Sequence, residues 1–71
     1  MNDAPAERMM RWFAYAHLPA ALQPISKPFS ALAEHIVATI KPGPERTVAL
    51  RKLLEAKDAG VRAHLEGQPT P

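Results

Sequence analysis

The sequence holds no cysteine, three glycines and four aromatic residues. Without cysteine there is neither a disulfide framework nor a thiolate metal site. Its three histidines, at positions 17, 35 and 64, are too widely spread to show close metal-ligand spacing. No window approaches the roughly 18 uninterrupted apolar residues that a membrane span requires. The opening "MNDAPAERMM" lacks the basic-then-apolar order of a signal peptide. These absences predict a cytoplasmic protein without a membrane partner. Charge imbalance is also small, a net +2, and the basic residues form no block. That suits a compact anionic ligand better than a DNA or RNA track, which usually calls for a basic stripe.

The marks of catalysis are missing too. Neither GxGxxG nor GxxxxGK[ST] occurs, so no glycine-rich phosphate loop is present. Ser26, Ser30, Thr39 and Thr47 fall near helix starts or in helix interiors, where capping or local backbone bonding is their usual work. No histidine is spaced to make one of them a nucleophile. The chain is expected to be non-enzymatic and to need no cofactor or metal.

A chain of 71 residues has a core rarely worth more than about 3–5 kcal/mol. With no cross-link or metal to help, oligomerisation is the remaining source of stability. Eight prolines divide the sequence, and each removes a backbone donor and disfavours helix in the residue before it. Two intervals can hold long helices. The first runs from about 26 to 40, with Ser26 as N-cap, Pro28 in the first turn, and Phe29, Leu32, Ala33, Ile36, Val37 and Ile40 on one apolar face. The second runs from about 45 to 66, after "KPGP", with Glu45 suited to the helix dipole.

On the second helix Arg51, Glu55, Asp58, Arg62 and Glu66 share a solvated face with i,i+4 charge pairs. The short link folds the helices back as an antiparallel hairpin. The expected fold is all-α: one hairpin domain over 1–67, an N-terminal segment that is short helix or extended, and a disordered tail over 68–71. Val48, Ala59 and Ala63 make a small-residue strip beside Lys52, read as a subunit contact of a homo-oligomer. Met9, Trp12, Phe13 and Ala16 are expected to pack the N-terminal segment on the hairpin.

Two groups are candidates for a ligand. Arg46, Lys57 and His64 point down the apolar seam of the second helix. Arg46 either snorkels to water or adds a phosphate fork to the free amides of the first helical turn. Three of the four aromatic residues, Trp12, Phe13 and Tyr15, crowd into four positions. Trp12 and Phe13 are read mainly as packing, and Tyr15 as the ring that stacks on a base. Arg11, His17 and Lys27 are near enough in sequence to meet its phosphates.

The segments "FAYAH", "LAEHI", "KPGPER" and "TVALRKLLEAKDAGVRAHL" follow in order. The chain in this respect resembles the helical-hairpin domain of phage anti-CBASS and anti-Thoeris proteins, sponges that sequester cyclic oligonucleotide signals. The match runs from about Phe13 to Leu65, and its most specific part is Pro42-x-x-Glu45-Arg46 followed by Ala49-Leu50-x-Lys52-Leu53-x-Glu55-Ala56.

The resemblance implies a non-enzymatic, hexamer-like assembly of phage or prophage origin, binding cyclic dinucleotides between protomers and in some members cyclic trinucleotides elsewhere. It makes Tyr15 with His17 the counterpart of a tyrosine, histidine and proline run, with Ala16 inserted. It gives Arg46 a phosphate or base contact and Thr47 a hydroxyl contact, with Lys27 or Lys52 balancing phosphate charge. Relatives can carry a lysine where Ser30 stands, a departure that bears on ligand choice. The alternative reading is a structural or protein-binding helical module with no nucleotide ligand.

Overall fold

The computed structural model describes residues 5–67, and all regular structure there is helical. Helix α1 is Pro5–Met10, and a 3-10 turn, Arg11–Phe13, follows it directly. Helix α2 is Gln23–Thr39 and helix α3 is Pro44–Glu66. The two long helices pack against each other, and α1 with its 3-10 turn lies against both. The tail expected over 68–71 lies outside the described residues. No helix among the described residues is long and apolar enough to cross a membrane.

Helix α2 begins three residues before Ser26, so Ser26 is not its N-cap. The cap position is Leu22, whose side chain offers no hydrogen bond. A turn closed by the Leu22 amide on the Pro19 carbonyl (2.9 Å) delivers the chain to it. Pro24 then occupies the first turn, where a missing amide hydrogen costs nothing. Pro28 consequently falls in the second turn and not the first. Its ring leaves the Pro24 carbonyl without an i→i−4 donor, and both prolines are exposed, so water can reach that carbonyl.

Helix α2 ends at Ile40, which turns extended (φ −113°, ψ 132°) while its amide still bonds to the Ile36 carbonyl. Thr39 is bonded through its hydroxyl to the His35 carbonyl at 2.8 Å. Pro42 forbids continuation, and Pro44 starts α3 with φ already suited to a helix. Gly43 between them is extended (φ 169°, ψ 171°), with nothing within 4 Å of where a Cβ would lie. Glu45 stands in the first turn of α3.

The fully buried centre is Phe13, Ala33 and Leu50, ringed by Met9, Met10, Phe29, Ile36, Val37, Leu53 and Leu54. On α2 the side chains turned fully inward are Ser26, Ser30 and Ala33, small groups that let the 3-10 turn and α3 approach closely. The expected apolar face of α2 is therefore rotated. Leu32 and Ile40 belong to it by spacing, yet they are 47% and 48% exposed.

Phe29 crosses to α3 at Gly60, where a Cβ would stand 3.9 Å from its ring. The link before α2 is tied down by Gln23, whose Nε2 donates to the carbonyls of Leu18 (2.9 Å) and Ala16 (3.3 Å). Gln23 and Ser30 lie on the same side of α2, so the N-terminal segment covers that side. The i,i+4 pairing expected for Asp58 with Arg62 gives way to a sequence neighbour: Lys57 Nζ reaches the Asp58 carboxylate at 2.9 Å.

Candidate functional site

Trp12 and Phe13 cannot both face the core, because a 3-10 helix turns about 120° per residue. Phe13 goes in and is 1% exposed, while Trp12 goes out and is 57% exposed. This overturns the expectation that Trp12 packs. The turn stops at Ala14, which becomes extended (φ −61°, ψ 139°), and that fixes which of the two rings is committed to the core.

Around Trp12 the short helix supplies cations. The Arg11 guanidinium carbon lies 5.2 Å from the centroid of the Trp12 ring, within the range of a cation–π contact. Arg8 is three residues before Arg11, on the same side of the chain. Together with Met9 they line a shallow depression of about 330 Å³. Both arginines and Trp12 are exposed. Among the described residues the Arg11 guanidinium has no hydrogen bond or ion pair beside its contact with the Trp12 ring, and a guanidinium fork suits an anion placed next to that ring.

The residues singled out from the sequence do not converge in this protomer. Arg46 is buried, 8% exposed, and its Nη1 donates to the carbonyls of Ile40 (2.9 Å) and Val37 (3.3 Å). It neither snorkels nor faces outward: it caps the C-terminus of α2. Thr47, half-buried, turns its hydroxyl to the Gly43 carbonyl at 3.3 Å. Ser30 is buried, 8% exposed, and lies about 20 Å along the hairpin from Arg46 by helical rise. Lys27 and Lys52 are exposed on different helices, Tyr15 is half-buried, and His17 is exposed in the link.

Of the three seam cations, Arg46 is inside, Lys57 keeps 14% of its side chain exposed, and His64 is half-buried. No group of three His, Asp or Glu residues able to hold a metal occurs among the described residues. What sequence reasoning missed is the pair Arg8 and Trp12. The available signal was the spacing Arg8, Arg11, Trp12, i, i+3 and i+4, which places the three on one face of a helix. Compared with protein-family models, curated proteins and solved structures, the chain matches none of them.

Proposed function

We propose that the protein binds a cyclic oligonucleotide without cleaving it, holding the ligand through Trp12, Arg11 and Arg8. The observation that carries this reading is the exposed Trp12 ring, 57% open, with a guanidinium 5.2 Å from its centroid. An indole face stacks on any nucleobase, a contact worth roughly 1–3 kcal/mol. Two arginines one turn apart match the two phosphodiesters of a cyclic dinucleotide.

In this reading the protein acts by mass action in the host cytosol, as the resemblance to the anti-CBASS and anti-Thoeris sponges implies. A messenger held tightly no longer reaches its effector. The depression is shallow in one protomer, so a second copy is needed to enclose the ligand, and the working form is a homo-oligomer. Tyr15 and His17, in the adjoining link, follow this surface directly in sequence.

A second reading has its own observation. Leu32 and Ile40 leave about half of their surface exposed, which favours a helical self-association module with no nucleotide. Trp12 is the one tryptophan of the chain, so its fluorescence separates the two. Titration with a cyclic dinucleotide, a cyclic trinucleotide and a single-stranded oligonucleotide should quench it saturably with the cyclic ligands. An emission unmoved by all three leaves the self-association module.

A further inference from the structure

The guanidinium carbon of Arg11 is 5.2 Å from the centroid of the Trp12 ring, farther than a cation centred on the ring would stand. Atoms in contact across a ring face lie about 3.5–4.0 Å apart, so the guanidinium is displaced sideways from the centroid by about 3–4 Å. A base stacked on that face occupies the same layer. Aromatic pairs prefer an offset arrangement, and an offset away from Arg11 leaves the centre of the indole to the base. The guanidinium then lies beside the base, level with its edge.

We infer that Arg11 reads this edge and that the base it selects is guanine. The inference rests on the cyclic-oligonucleotide reading above and names the base for it. Guanine presents two neighbouring acceptors, O6 and N7, on one edge, and the arginine fork meets both with parallel N–H bonds. Adenine keeps the N7 acceptor but sets an amino donor where guanine has O6. Arginine has donors only, so against adenine one N–H faces another. Cytosine likewise offers an amino donor, and uracil a single carbonyl on a smaller ring.

Reading a base does not withdraw Arg11 from the phosphates. A guanidinium carries five N–H donors, so bonds to O6 and N7 leave others that can face a phosphodiester. Arg8, one turn earlier, lines the same depression and contributes charge to the phosphates. The depression, about 330 Å³, is at the small end of ligand sites and takes one base of the ligand rather than two. Met9 also lines it and gives the base a polarizable apolar neighbour.

The test is a titration of Trp12 fluorescence with cyclic diguanylate and with cyclic diadenylate, on the parent, Arg11→Gln and Arg8→Gln, each checked for helicity by circular dichroism. The readout is the ratio of the two dissociation constants. The parent should bind the guanine ligand roughly tenfold or more tightly. In Arg11→Gln the amide offers one acceptor and one donor, which match the amino group and N7 of adenine, so the guanine preference should vanish or reverse. Arg8→Gln should weaken both ligands by a similar factor and leave the ratio unchanged. A parent that binds neither ligand overturns the cyclic-oligonucleotide reading together with this one. A parent that binds both equally, or the adenine ligand better, overturns the base assignment alone. So does an Arg11→Gln ratio equal to the parent's, or loss of both ligands in that variant, which makes Arg11 a phosphate contact only. A ratio that moves in Arg8→Gln overturns the assignment to Arg11.

Discussion

Arg46 Nη1 donates to the Ile40 carbonyl at 2.9 Å, across a turn of only three intervening non-helical residues, Lys41, Pro42 and Gly43. A helix end leaves its last four carbonyls without intrahelical partners, and here a cation from the first turn of α3 satisfies two of them. The hairpin is thus closed by charge-assisted hydrogen bonds as well as by apolar packing. Among the described residues the Arg46 Nε is buried without a hydrogen-bond partner.

Arg46→Ala should therefore act first on stability. Removing hydrogen bonds to a charged donor costs about 1.5–3 kcal/mol, and the exposed Trp12 surface is left intact. Urea unfolding should show the loss, and the fraction still folded should bind a cyclic dinucleotide as the parent does. Unchanged stability with lost affinity would make Arg46 a ligand residue.

Ser26→Ala should stabilise the protein or leave it neutral. Among the described residues the Ser26 Oγ is buried with no hydrogen-bond partner, and an unpaired buried hydroxyl costs about 1–3 kcal/mol. Alanine keeps the close approach of the segments while removing the orphan group. A midpoint in urea lower than the parent's would mean that the hydroxyl is paired in solution.

Phe13→Ala should abolish cooperative folding. Truncating a buried phenylalanine costs about 3–5 kcal/mol, as much as a core of this size supplies. Phe13→Leu, which fills most of the space, should keep a sigmoidal melt at lower temperature. A cooperative melt for Phe13→Ala near the parent's would show that the 3-10 turn does not hold the core.

The hairpin itself was legible because proline marks where helices cannot run and spacing marks which residues face one another. The boundaries of α2 were not. Ser26 looks like an N-cap, but Leu22 and the turn from Pro19 start the helix earlier, and the inward position then goes to Ser26. Arg46 was legible as a cation inside an apolar seam, whereas its partners were not, since carbonyls at a helix end carry no side-chain signature. The roles of Trp12 and Phe13 depended on a three-residue change of helical pitch, which no α-helical spacing rule detects. Arg8 and Trp12 are i,i+4 neighbours that helical spacing does pair; the pair was missed because Trp12 was assigned to the core.

The central claim is that Trp12 is a binding ring and Phe13 a structural one, and a paired melt and calorimetric titration of Trp12→Ala against a cyclic dinucleotide tests it most directly. Trp12 is 57% exposed, so its removal should change stability by no more than about 0.5 kcal/mol, as surface substitutions do. Loss of one stacked base should cost roughly 1–3 kcal/mol of affinity. A Trp12→Ala protein that melts and binds like the parent would contradict the claim.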